Sequence, residues 1–419
     1  MTGRRFDESH VLALAALFGP LLALYSALGM APLFTVVAVA ALVLARSRRP
    51  WLRVAKPAAV ALAVIVAWAA ASMIWTIEPH MGLYTVPRMA GLAFGGLSLV
   101  VVAGDLDEAG QRRLRLALAA GVTMALVMAA IEIFWRGPGG MVFYTRNPWF
   151  DSYIPRLGRG LTVAAALLVP AMVAAWRCGF RLWSGVILVL AVLTFVAGHT
   201  LSAKLALVVM PVVFLVTWKW PRLGGGAVSA AMAAVILAFP LLALAPSPQE
   251  TSDAFPFLPN SSHHRLTIWT FTASKVMEHP LLGWGIEASR SIPNGEDIVV
   301  VFRPDLRRGG REHVDEQLMP LHPHNGPGQI WLELGGVGAL LVCGLMVVLG
   351  RIIATAPTRI DAAMTASLTA SAFIVACVSY GVWQSWWLGS LGLSAALCTA
   401  VSTRRTDAAE TKMLSGGLS

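Results

Sequence analysis

Residues Leu321 to Gly338 read LHPHNGPGQIWLELGGVG and hold side chains that can do chemistry. His322 and His324 stand just before an Asn-Gly-Pro break. An apolar run follows, carrying one acid, Glu333, and a cluster of glycines, Gly335, Gly336 and Gly338. Asn325 is a good N-cap, because its side-chain oxygen can accept a backbone N–H of the first turn, and Pro327 is tolerated in that turn. The run is apolar for long enough to enter a membrane. This predicts His324 at the lip of a transmembrane helix, where water meets lipid. The positive end of the helix dipole there favours a neutral imidazole that can accept a proton near pH 7, and it attracts anions such as phosphate. The glycines leave one helix face bare, so that a neighbouring helix can approach closely. A plainer reading is that His324 only caps or packs.

The elements that position these residues follow from composition. The chain has 419 residues, is 57% hydrophobic and only 13% charged, and has a mean hydropathy of +0.69. A soluble protein carries about 25% charged residues. The expected fold class is an all-α polytopic membrane protein, with residues 1–419 forming a single membrane domain. Apolar segments of spanning length recur near 10–28, 30–46, 57–76, 86–103, 114–135, 160–176, 182–198, 201–217, 224–245, 327–350, 361–380 and 384–402, which gives about 12 transmembrane helices. The first apolar run reads as a retained helix rather than a cleavable signal peptide. Cys178, Cys343, Cys377 and Cys398 lie outside the predicted external loops, so no disulfide is expected, and no CxxC pair suggests a metal.

Loop charge predicts the orientation. Arg46, Arg48, Arg49, Arg53, Lys56, Arg112, Arg113, Arg115, Arg177, Arg181, Lys219, Arg222, Arg351 and Arg359 all fall on one side if the count is twelve, together with basic residues of both termini. By the positive-inside rule that side is the cytoplasm. The other side carries two longer segments, 136–159 and 246–326. The second lies between helices nine and ten and is the large periplasmic loop. Within it His264 to Glu278 interleaves Leu266, Trp269, Phe271 and Val276 with polar residues and reads as a short amphipathic helix. The rest of the loop, rich in Pro, Gly and charge, is expected to be irregular.

External segments ought to be poor in cations, yet Arg88, Arg136, Arg146, Arg156, Arg159, Lys204 and Arg265 lie outside or at outer helix ends, with Arg290, Arg303, Arg307, Arg308 and Arg311 in the large loop. Eight of the nine histidines, all but His10, are on that side too. One explanation is an anionic substrate at the outer leaflet, such as phosphate, pyrophosphate or an anionic lipid. For Arg303 to Arg311 pairing with Asp305, Glu312, Asp315 and Glu316 is the preferred reading. For Lys204, in the apolar run HTLSAKLALVVM, function is preferred, because an unpaired ammonium there is costly. Glu132 and Glu333 are intramembrane acids, each readable as a proton site or as a structural hydrogen-bond partner. The chain has no Walker A, HExxH or GxSxG sequence. The only metal-like pairs, His322-x-His324 and His263-His264, lack carboxylate company, and no metal is expected.

His324-Asn325, nine residues, then Gly335-x-x-Gly338 resembles the signature at the outer end of a late transmembrane helix in bacterial O-antigen ligases. Those enzymes share a superfamily with O-antigen polymerases and protein O-oligosaccharyltransferases. Arg265 and Trp269, followed by His279-Pro-Leu-Leu-Gly-Trp-Gly285, are similar to the Arg, Trp and HPLxGxG run of the family's large periplasmic loop. The motifs cover about 260–340, and the layout matches along the chain. The resemblance implies a GT-C-like membrane glycosyltransferase in the bacterial inner membrane, with both termini cytoplasmic and the active site facing the periplasm. It implies His324 and Arg265 as catalytic residues, and Lys204, Arg156, Arg159, Asn325, His322 and Trp269 as substrate-binding ones. Where the family has arginine at the outer end of helix eight, this chain has Lys204, which can hold a phosphate only as a point charge.

The implied reaction moves a glycan from undecaprenyl diphosphate to a hydroxyl of the lipid A–core oligosaccharide, inverting the anomeric centre and needing no metal or cofactor. Arg265 and Lys204 would hold the leaving pyrophosphate and His324 would orient or deprotonate the acceptor. The partners implied are the undecaprenyl diphosphate-linked glycan, lipid A–core and membrane lipids, with no nucleic acid. A polymerase would use the growing glycan as acceptor, and a protein O-oligosaccharyltransferase a Ser or Thr. The latter often carry a long C-terminal extension, whereas this chain stops soon after its last helix, which disfavours a protein acceptor without excluding it. A secondary transporter would want paired interrupted helices and several midplane charges.

Overall fold

The computed structural model describes residues 6–45, 49–135, 154–198, 200–304 and 309–403, with the side chains at 154–156 and 304 outside that description. Arg136, Arg146, Arg307 and Arg308, among the external cations named above, lie outside it. The apolar runs become helices α1 (Glu8–Tyr25), α2 (Met30–Leu44), α3 (Lys56–Ala71), α4 (Pro79–Gly104), α5 (Glu108–Trp135), α6 (Ile154–Arg177), α7 (Arg181–Ala197), α8 (Leu201–Lys219) and α9 (Pro221–Ala238). Two loop helices follow, α10 (Pro248–Ala254) and α11 (Asn260–Glu278), then α12 (Gly326–Ala354), α13 (Arg359–Val378) and α14 (Ser385–Val401). Among the described residues ten helices are long and apolar enough to cross a membrane, and α7 and α14 are shorter apolar helices. The fold is all-α and polytopic, as composition predicts.

α6 sits at the centre. Of the best spanning window of α6, 83% is buried against protein, against 17% for α3 at the edge. A helix apolar on every side belongs inside a bundle. Around it α1, α5 and α13 pack with alanine-rich faces, and Leu118, Leu168, Phe195 and Trp387 fill the shared core. α12 packs on α9, α3 and α13.

The connections gather at two ends. At one, Arg53 pairs with Asp105, the buried Asp361 accepts an Arg177 ion pair at 2.8 Å, and Arg115 reaches the Ser402 carbonyl at 3.5 Å. At the other, Thr76 donates to the Ile286 carbonyl at 2.7 Å and Thr200 lies against Gly158. Arg53, Arg115 and Arg177, three of the residues that the charge pattern assigns to one side, tie their connections together at that end.

The large loop is more ordered than its composition suggests. The amphipathic stretch forms α11, as expected, but an antiparallel hairpin also forms, β1 (Ile298–Pro304) with β2 (Arg311–Gln317), in the register Ile298↔Gln317 to Pro304↔Arg311. The Gln249 side chain of α10 caps its edge, donating to and accepting from the Phe302 backbone at 2.9 Å each. Arg303 is buried against Glu316, as the pairing reading predicts, whereas Arg311 pairs with Asp253 at 2.9 Å, outside the expected partners.

Candidate active site

The site rests on a break in α12. At Gly335 the backbone takes φ 65°, ψ −168°, a region that only glycine enters cheaply. The His279–Gly285 loop fills the gap. Trp284 N–H donates to the Leu332 carbonyl at 2.8 Å, and Gly285 N–H to that of Glu333 at 2.9 Å. In return Gly336 N–H donates to the Pro280 carbonyl at 2.8 Å and Val337 N–H to that of Leu281 at 3.3 Å. The Trp68 indole N–H takes the Leu334 carbonyl at 3.0 Å. Backbone groups freed by the break are thus paired by protein, as a helix in hydrocarbon requires. This corrects the expected role of the glycines. A Cβ at Gly335 would lie 2.2 Å from the Leu281 carbonyl oxygen, so what approaches is a loop backbone, not a neighbouring helix; Gly338 faces its own Leu334 side chain.

Glu333, two residues before the break, is fully buried and is a structural acceptor. Its carboxylate takes Glu287 N–H at 2.7 Å, Ser289 Oγ at 2.5 Å, Gln329 Nε2 at 3.0 Å and Trp383 Nε1 at 2.6 Å. The donors come from the loop, from α12 and from the segment before α14, so one buried carboxyl group ties together the segments that carry the site. Glu132 likewise accepts the Tyr25 hydroxyl at 2.9 Å.

At the start of α12, Asn325 caps as predicted, its Oδ1 accepting Gly328 N–H at 2.8 Å. Just before it, His324 is held at φ 52°, in the left-handed region. Its Nδ1 lies 2.7 Å from the Ser379 carbonyl. A carbonyl only accepts, so the proton sits on Nδ1 and Nε2 keeps a free lone pair. Burial holds the ring's pKa below the ordinary value; Arg265 and His264 push the same way, and the Ser379 carbonyl opposes them. The neutral base expected from the helix dipole is present, but burial is its main cause. His322 lies against His324, ring centroids 4.2 Å apart, and its pKa is pushed down to about 3, first by burial and then by His324, Arg290 and Arg159.

Two cations from distant segments lie within electrostatic range of the histidines. Arg265 of α11 stands near both His324 and Tyr380, and Arg159 of α6 near His322 and Tyr380. Arg265, Arg159 and Lys204 form no ion pair with a described residue. Lys204 is exposed in the first turn of α8, whose start lies against Gly158. Arg156 is in the first turn of α6, its side chain outside the described residues. Trp269 is spent on architecture, its indole N–H donating to the Pro323 carbonyl at 3.0 Å and so fixing the histidine segment to α11. Among the described residues no group of three or more His, Cys, Asp or Glu gathers as a metal-ligand set.

Sequence reading missed Ser379, Tyr380 and Gln384, which lie in SYGVWQSWW at the junction of the last two predicted spans. A polar and aromatic knot between apolar runs was the available signal. Burial pushes the Tyr380 phenol up, while its Thr162 hydrogen bond and the charges of Arg159 and Arg265 oppose that.

Residues 186–343 match the model of a family described as O-antigen ligase. That stretch contains the break in α12, the docked loop and both site histidines. Through this segment the chain is similar to the O-antigen ligase family. It is also 26% identical over 327 residues to a Rickettsia conorii protein given the provisional name polysaccharide ligase, covering 78% of this chain and 75% of that one. A Rickettsia prowazekii protein of the same provisional name is 26% identical over 326 residues, 78% of this chain and 76% of the relative. The apolar helices make the chain a multi-pass membrane protein, and its histidine signature stands at a helix mouth.

Proposed function

We propose that this ligase transfers a glycan from undecaprenyl diphosphate to a sugar hydroxyl of lipid A–core at the periplasmic face of the bacterial inner membrane. The observation that supports this reading best is the His324–Ser379 hydrogen bond of 2.7 Å, which leaves a basic Nε2 lone pair close to the unpaired Arg265 guanidinium.

The acceptor hydroxyl gives its proton to His324 Nε2 as its oxygen bonds to the anomeric carbon. The bond from that carbon to the diphosphate oxygen breaks, and the electron pair leaves with the diphosphate. Arg265, with Lys204 and Arg159, meets the growing negative charge, Arg265 as a fork and Lys204 as a point charge. Attack opposite the leaving group inverts the anomeric centre. The carrier diphosphate supplies the driving force, so no nucleotide is needed, and the proton and charge work falls to side chains without a metal. Arg156, His322 and Asn325 line the donor side in this reading, and Trp269 holds the loop that carries the histidines.

The test is purified protein with undecaprenyl diphosphate-linked glycan, offered lipid A–core, free carrier-linked glycan and a Ser/Thr protein acceptor in separate reactions. Transfer to lipid A–core alone, unaffected by EDTA, is expected. Transfer only to carrier-linked glycan would make the chain a polymerase, transfer only to protein an oligosaccharyltransferase, and loss on chelation would overturn the metal-free scheme.

A further inference from the structure

Two hydrogen-bond donors face each other across His322. The backbone N–H of His324 donates to His322 Nδ1 at 3.2 Å. A backbone N–H cannot accept, so the neutral ring carries its proton on Nε2. Facing Nε2 at 3.3 Å is the Nε2 amino group of Gln384. The orientation of that amide is fixed by Trp386, whose indole N–H, also donor-only, gives its hydrogen to Gln384 Oε1 at 2.7 Å. Turning the amide over would set two donors against each other at Trp386, at a shorter distance. So His322 Nε2–H and the Gln384 NH₂ converge with no acceptor between them among the described residues.

Two cations lie within electrostatic range of the same ring. Arg290 and Arg159 are both close enough for their charge to bear on His322. Arg290 is aimed by its own support: Nε donates to Glu287 Oε2 at 2.8 Å, and the other Glu287 oxygen takes the Thr85 hydroxyl at 2.6 Å. That leaves both terminal nitrogens of the Arg290 fork without a partner among the described residues. His322 and Gln384 are half-buried, within reach of a ligand but sheltered from bulk water.

Two convergent donors with no acceptor between them among the described residues, two guanidinium groups in electrostatic range, and the nearby carboxylate of Glu287 already taken by Arg290 Nε and Thr85, suit an acceptor-rich anion. A sugar hydroxyl would bring a proton of its own; a phosphoryl oxygen brings only lone pairs. We infer that Gln384 and Arg290, with the Nε2–H of His322, form a second phosphate pocket that takes one phosphoryl group of a polyprenyl diphosphate while Arg265 holds the other. This rests on the donor proposed above and assigns its diphosphate two separate holds. Phosphorylated lipid headgroups share the chemistry, and the experiment separates them from the carrier.

The full chain in phosphatidylcholine nanodiscs is titrated with undecaprenyl diphosphate and with undecaprenyl monophosphate, and again with phosphatidylglycerol added to the discs. The variants are Gln384→Glu, whose carboxylate accepts from both Trp386 and His322 and fills the need internally, Gln384→Met, which removes the donor at similar volume, and Arg290→Gln. The wild type should prefer diphosphate over monophosphate, and each variant should lose about ten- to a hundredfold in diphosphate affinity, the usual loss for a hydrogen bond to a charged group. Monophosphate affinity should change little. Should Gln384→Glu fail to fold, Gln384→Met and Arg290→Gln carry the reading. Diphosphate affinity unchanged in the folded variants would overturn the pocket, as would equal loss of monophosphate. Competition by phosphatidylglycerol that the same substitutions abolish would reassign it to a headgroup and overturn it as well. Wild-type protein that binds neither polyprenyl lipid would remove the donor reading and the pocket together, an outcome distinct from failure of the variants alone.

Discussion

The Nδ1 atom of His324 lies 2.7 Å from the backbone carbonyl oxygen of Ser379, which joins the mouth of α12 to the end of α13. These residues are 55 apart in sequence, and the bond decides which ring nitrogen is free. It also opposes the burial that keeps the ring neutral.

The pH dependence of transfer follows from that balance. A base works unprotonated, so transfer should fall as pH drops through the folded pKa of His324, and that pKa is held below the ordinary value near 6.5. The acid limb of kcat/KM should therefore lie below pH 6.5. Replacing Arg265 with Gln removes one of the charges that depress it and should move the limb upward. A limb in the wild type at or above 6.5 would contradict this environment for His324.

His322 should make the fold acid-sensitive. Unfolded, its ring titrates near 6.5; folded, it stays neutral down to about 3. Between those values the unfolded chain binds the extra proton, so stability is complete above about 6.5 and declines as pH falls toward 3. His322→Leu should flatten this part of the slope of thermal midpoint against pH. An unchanged slope would show that other groups produce it.

The break in α12 gives a stability prediction. Gly335→Ala forces a side chain into a glycine-only conformation and against the Leu281 carbonyl, with a built Cβ distance of 2.2 Å. The strained backbone alone costs about 1–3 kcal/mol, and undocking of the loop adds to it. Gly336→Ala meets its nearest neighbour at 3.2 Å and should be much milder. Thermal unfolding of the two variants in detergent checks the order.

Much of this was legible in the sequence, and the part that was not has physical causes. Apolar length revealed the helices, since a segment that buries its own backbone bonds in lipid must be long and uniform. Asn325, the α11 amphipathic stretch and the His324 and Arg265 motif carried their own signals. The hairpin did not: β1 turns Ile298, Val300 and Phe302 outward and buries Val301 and Arg303, the reverse of an ordinary alternation, and β2 is charged for most of its length. The glycines of α12 were misread because helix approach and a helix break use the same residue. Ser379 and Gln384 act through a backbone carbonyl and an amide, neither of which has a residue pattern in the sequence.

Trp269 should behave as a positioning residue. Its indole holds the Pro323 carbonyl, one residue before His324. Trp269→Phe keeps most of the packing and loses one hydrogen bond, worth about 1 kcal/mol net. Transfer should fall several-fold through kcat while donor affinity stays near wild type. A fall in donor affinity alone would mean that Trp269 touches the donor instead.

The most direct measurement compares transfer rate with donor affinity for purified, folded His324→Ala and Arg265→Ala. His324→Ala should bind the diphosphate donor as the wild type does and lose transfer by roughly 10²- to 10⁴-fold, the range for a general base. Arg265→Ala should weaken donor engagement and slow transfer about a hundredfold, the loss expected of one preorganised charge contact. Near wild-type transfer by His324→Ala would contradict the account and leave that residue as a helix-mouth packing group.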